Sequence, residues 1–159
     1  MSAVEEFAEQ TAATLTAAGF PRMPARVLLA LMTTESGSLT AEELAARLGA
    51  SPAAISGAVR YLQQVSILRR YTEAGSRRHR YELPDNVWYA TSNSQGPLYA
   101  HLVGLAEKGV AAMPQGSAMH ERIEEMADYF RFMRDRMPVL MDEWKASRVT
   151  SQNGVTDSA

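Results

Sequence analysis

Between positions 60 and 80 the chain carries Arg60, Arg69, Arg70, Arg77, Arg78 and Arg80 against the single acid Glu73, so this window holds +5 while the rest of a chain of net charge −2 holds −7. A guanidinium presents parallel donors that match phosphate oxygens two at a time, and a basic patch on an otherwise acidic chain concentrates an attractive field where a polyanion approaches. Just ahead of these arginines stand Ser51, Ala53, Ser56, Gly57 and Gln63. Helical spacing puts Ala53, Ser56, Gly57, Arg60 and Gln63 on one face. Small side chains there let a helix come close to a groove floor, and Ser, Arg and Gln can donate to base edges. Arg60 is expected to read guanine through its two donors. Arg77 and Arg78, on a hairpin tip, are expected to contact phosphates or a minor groove, and Arg70 and Arg80 to add to the same surface. The chemistry on offer is non-covalent recognition of double-stranded DNA.

Other chemistries find no matching residues. With no Cys there is no disulfide framework, thiol nucleophile or thiolate metal site. His79, His101 and His120 are scattered, and His120 with Glu124 one turn on reads as a solvated polar face rather than a metal pair. There is no glycine-rich phosphate loop and no nucleophile elbow. Neither a metal, a cofactor nor an enzyme activity is expected.

The elements that position these residues are written in local signals. Thr40 with Glu43 three residues later forms a capping box, so a helix starts there, with Leu44, Ala45 and Leu48 on one face and Gly49 at its end. Ser51 caps the next helix and Pro52 occupies its first position. Ile55, Ala58, Val59 and Leu62 form its buried stripe. The two helices cross steeply, with small Ala45 beside Gly49 expected to permit close approach, and make a helix-turn-helix. Ile67 to Tyr71 then reads as a strand, Glu73 to Ser76 as a turn and Arg77 to Leu83 as a returning strand, in which His79, Tyr81 and Leu83 alternate with Arg78, Arg80 and Glu82. That hairpin is the wing of a winged helix.

This segment resembles the MarR-type winged-helix transcriptional regulators, and within them the GbsR-like subgroup, through Gly75-Ser76-Arg77-Arg78 followed by Tyr81 and Trp88. The more usual MarR wing carries an Asp-x-Arg pair, and no Asp stands here. The resemblance implies a regulator that often binds a small molecule between the winged region and dimerisation helices. By position Trp88, Tyr89, Tyr99, His101 and Met113 are candidates to line such a cleft, although each is also explained as a core or hinge residue.

The expected architecture is mainly α, an α+β winged helix-turn-helix with flanking helices. Residues 1–20 form an N-terminal helix of the dimerisation region, 21–90 the winged domain, with its first helix opening at Pro24, 97–147 the C-terminal dimerisation helices and 148–159 a disordered tail. At 46% apolar and 21% charged the composition is globular, and no apolar run is long enough to span a bilayer. The acidic N-terminus lacks a secretory pattern, so a cytoplasmic location is expected. Thr91 to Pro97 reads as a hinge. After it, a helix carries one apolar seam through Leu98, Leu102 and Leu105, residues 113–116 interrupt it, and the last long helix shows Met119, Ile123, Met126, Phe130, Met133, Met137, Leu140 and Trp144 at alternating fours and threes. Such a strip lines either an intramolecular bundle or a homodimer; Phe7 and Leu15 of the first helix are expected beside it, and the dimer is favoured because the strip outruns a compact winged domain. Pro138 is expected to kink the last helix. A homodimeric regulator, a repressor acting on an inverted repeat, is the leading reading. A winged-helix module binding an acidic protein is the alternative, though it would call for aromatic anchors on the recognition face.

Overall fold

The computed structural model describes residues 2–155, and divides into two compact units, Met1–Ala90 and Thr91–Ala159. In the first, α1 (Ala3–Ala17), α2 (Arg22–Met32), β1 (Ser38–Thr40), α3 (Ala41–Leu48), α4 (Pro52–Gln64), β2 (Arg69–Thr72) and β3 (His79–Glu82) follow one another, and α5 (Val87–Asn93) leaves it. The second holds α6 (Gly96–Ala112) and α7 (Ala118–Val155).

Local chemistry explains the helix starts. Thr40 Oγ1 accepts from the Glu43 amide at 3.1 Å and the Glu43 carboxylate accepts from the Thr40 amide at 2.7 Å, the reciprocal bonding expected of this pair. Ser2 and Glu5 repeat the device at α1. Ser51 Oγ accepts from the Ala54 amide at 3.2 Å with Pro52 in the first turn of α4. Gly49 ends α3 at φ +58, a left-handed conformation that favours glycine. A Cβ there would meet nothing within 4 Å, so the glycine serves the turn's conformation and not the close helix approach expected of it.

Leu29, Leu44, Ile55, Leu62 and Val27 are the largest fully buried side chains, contributed by α2, α3 and α4. Burying each stabilises the unit by about 1.5–3 kcal/mol. The T-shaped pair of Phe20 and Tyr61, with ring centroids 5.5 Å apart, closes one end of this core. A strand absent from the sequence reading, β1, pairs antiparallel with β3, giving the sheet order β1-β3-β2.

Several expectations are corrected. Ile67 and Leu68 are buried core residues, and β2 begins only at Arg69. The second helix begins at Arg22 behind Pro21, ahead of Pro24. Most of the expected hinge is helical, in α5 and the start of α6. Helix α1 packs on α2, with Ala12 buried and Leu15 against the winged core, so Leu15 is occupied within its own chain while Phe7 remains 54% exposed. The tail expected to be disordered from 148 continues α7 to Val155, and 156–159 lie outside the described residues.

The Thr40 amide against its carboxylate, and then the charge of Arg80, hold Glu43 below the ordinary glutamate pKa. A depressed carboxyl contributes stability that is complete above its unfolded pKa and is lost as pH falls through its folded pKa. Glu43→Gln is therefore expected to lower the thermal midpoint most at neutral pH, the two proteins converging as pH drops below the glutamate range. An equal deficit at every pH would show that the charge contributes nothing.

Candidate nucleic-acid interface

The outer face of α4 is built as its spacing requires: Ile55, Ala58, Val59 and Leu62 are buried, and Ala53, Ser56, Gly57, Arg60 and Gln63 are exposed, as is Ser51 at the cap. A Cβ at Gly57 would meet nothing within 4 Å, so the glycine lowers this face without being forced by packing. The wing tip turns at Gly75, φ +82, with the Ser76 amide bonded to the Glu73 carbonyl at 3.0 Å. Arg77 and Arg78 project from it exposed.

The wing is tied down by one buried residue. Ser38, 5% exposed in β1, accepts from Arg80 Nε on its hydroxyl at 3.0 Å and from the Arg80 guanidinium on its carbonyl at 3.0 Å. The Tyr71 hydroxyl reaches the same Ser38 Oγ at 3.2 Å, which joins β2 to the arrangement. Arg80 also lies 3.5 Å from Glu43. The sequence places Arg80 with the DNA-facing arginines, and the structure instead draws it, half-buried, beneath the wing as an anchor. Arg47 donates to the Ala30 carbonyl at 3.1 Å and to Thr33 Oγ1 at 2.9 Å, bracing α3 against the end of α2.

Pairing sorts the remaining arginines. Arg69 is bonded to Glu82, and Arg78 lies 3.5 Å from Glu42 across an exposed gap. Exposed pairs of this kind contribute about 0–1 kcal/mol, so Arg78 stays available to a phosphate. Arg60, Arg70 and Arg77 have no ion pair among the described residues. The window charge of +5 thus overstates the local field, because Glu42, Glu43 and Glu82 fold back onto it from outside the window.

The candidate cleft residues fall in different units. Trp88, 49% exposed, and half-buried Tyr89 are on α5, where the first unit ends. Tyr99 and exposed His101 are on α6, and Met113 caps its C-terminus. Tyr99 packs its ring on Phe130 at 5.7 Å and so serves the packing of α6 with α7, while the Met113 methyl lies beside Gly109 of its own helix.

The expected dimer seam is likewise partly spent at home. Leu102, Ile123, Met126, Phe130, Met133 and Met137 are half-buried, and Arg131 of α7 bonds Glu107 of α6 at 3.1 Å. Leu98, Met119, Leu140 and Trp144 of the seam remain exposed, together with Phe132, which the seam does not include.

Residues 18–79 match a model of the MarR family, and residues 86–147 match a model described as an MmpR5-like MarR family transcriptional regulator. Over 136 residues the chain is 31% identical to the HTH-type transcriptional regulator MmpR5 of Mycobacterium tuberculosis, covering 83% of this chain and 81% of that protein. A crystal structure of a transcriptional regulator superposes with a TM-score of 0.82 at 27% identity, covering 91% of this chain and 99% of that one.

Ser38→Ala should leave the Tyr71 hydroxyl and one Arg80 donor short of an acceptor, at a cost of about 1–3 kcal/mol in denaturant unfolding. Amide exchange should quicken in β3 while α4 stays protected; unchanged exchange in β3 would mean that Ser38 is not what holds the wing.

Proposed function

Since the chain belongs to the MarR family of transcriptional regulators, we propose that it binds double-stranded DNA as a homodimer on an inverted repeat and represses by occluding a promoter. The observation that carries this reading is the outer face of α4, small and hydrogen-bonding with Gly57 at its centre and no aromatic side chain. A helix with that surface can enter a major groove, whereas a docking face for an acidic protein would be expected to carry aromatic anchors. Ser56 and Gln63 are the base-edge donors of this reading, and Arg77 and Arg78 at the wing tip supply phosphate or minor-groove affinity. The Gly75-Ser76-Arg77-Arg78 tip followed by Tyr81 and Trp88 supports a wing of the GbsR-like type.

Dimerisation is supported by apolar surface that its own unit leaves uncovered. On α7, Phe132 is 62% exposed and lines, with Met133, Met137 and Leu140, a depression of about 230 Å³. A monomer exposing this strip to water would be prone to associate. Two recognition helices read a palindrome when held about 34–36 Å apart, one turn of DNA, and a second copy on this surface is the proposed means.

Selection of bound sequences from a random DNA library should return an inverted repeat; enrichment of a lone unpaired motif would overturn the dimeric reading, and no enrichment would overturn DNA reading altogether. Phe132→Asp should sediment as a folded monomer and bind the selected site far more weakly than the parent. A Phe132→Asp protein that stays dimeric would move the interface elsewhere.

A further inference from the structure

Antiparallel pairing sets Arg70 of β2 directly opposite Tyr81 of β3, so the two side chains share a face of the sheet. Arg69, Tyr71, Arg80 and Glu82 belong to the other face by the same alternation, and there the bonds of Arg69 to Glu82 and of Arg80 and Tyr71 to Ser38 are made. The face carrying Arg70 and Tyr81 meets α4. Between them lies an open cleft of about 370 Å³ whose polar lining is Ser56, Arg60, Gln63, Arg70 and Tyr81, over a floor that includes Ile55 and Val59. Arg60 and Arg70 therefore line one cleft that no carboxylate lines, and neither has an ion pair among the described residues. Like charges brought together without an acid repel one another at a cost that a bound anion removes.

We propose that this cleft seats one backbone phosphodiester of the DNA strand lying against α4, gripped by Arg60 from the recognition helix and Arg70 from the wing, with the Tyr81 hydroxyl as a further donor. The proposal rests on the DNA-binding reading and deepens it. It gives Arg60 a different role from the guanine reader its helical position suggested. It also gives Arg70 a positioning role, because a phosphate held between helix and wing fixes how deeply and in what register α4 enters the groove. Arg77, at the tip and outside the cleft, contacts DNA independently of this seat.

The test is a double-substitution cycle by DNA-shift titration on the selected site, its single-base variants and random DNA, across a range of salt. Arg60→Ala and Arg70→Ala should each weaken binding to every sequence alike. Because the salt slope counts phosphates neutralised, the double substitution should flatten it by about one unit in total, and the second loss should be smaller than the first. Tyr81→Phe should give a smaller loss of the same uniform kind, and Gln64→Ala, outside the cleft, should bind as the parent does. Circular dichroism checks that each variant folds, and Arg70→Lys, which keeps charge without the fork, should recover part of the loss if Arg70→Ala is unstable. Strictly additive losses with the slope falling by about two would assign two separate phosphates and overturn the shared seat. An Arg60→Ala loss confined to one base position would restore the guanine reading and overturn it as well. If the parent protein itself fails to bind any DNA, the DNA-binding reading falls; if the parent binds and both alanine variants bind equally well, only the seat falls.

Discussion

The fold turns on the few residues from Ser38 to Glu43. Thr40 is at once the last residue of β1 and the N-cap of α3, so the sheet and the helix-turn-helix share a joint with no loop between them. Ser38, two residues earlier, receives Arg80 from β3 and Tyr71 from β2, and Glu43, three residues later, receives the Thr40 amide and the charge of Arg80. A hairpin of two short strands is marginal in water by itself. Here it gains a third strand and a buried polar anchor, and that anchor is continuous with the helix whose partner is α4. The angle between wing and recognition helix is thereby a property of this joint.

The same joint divides the arginines by task. A strand offers alternate residues to opposite faces, so the run Arg69-Arg70 cannot serve one purpose. Arg69 meets Glu82 and Arg80 meets Ser38 and Glu43, which stiffens the wing, while Arg70 is turned toward α4 and Arg77 is left at the tip. Part of the basic composition therefore holds the shape that presents the rest. A net charge summed over a sequence window cannot show this division, because the acids that make it come from positions 42, 43 and 82.

What was legible in the sequence was what local chemistry decides. The Thr40/Glu43 box, the Ser51-Pro52 start, the left-handed Gly49 and the buried stripe of α4 each depend on residues within a turn of one another, and each stands as read. The Ser2/Glu5 box is equally local. Strand β1 was hidden for a physical reason: three residues carry no periodicity, and their pairing is with β3, some forty positions away. Helix α5 was hidden by Thr, Ser and Asn, whose side chains compete for backbone bonds and suggest loops. The end of α7 was hidden because its last turns lack an apolar stripe, although helical backbone continues through them.

An apolar repeat of fours and threes states that a helix face is to be covered, and leaves open by what. On α7 the structure separates two coverings that the repeat had merged. Phe130 faces Tyr99, and Ile123 lies where a Cβ on Gly109 would be only 3.7 Å away, so this face of α7 is closed by α6 of the same chain. Phe132 is two residues from Phe130, about 200° around a helix, and therefore looks away from that contact. Farther along α7, Leu140 and Trp144 of the repeat itself are exposed, beyond the reach of a helix as short as α6. The seam as far as Phe130 thus packs within one chain, and the surface the proposed second copy would cover joins Phe132, which the repeat does not single out, to the repeat's own Met133, Met137 and Leu140.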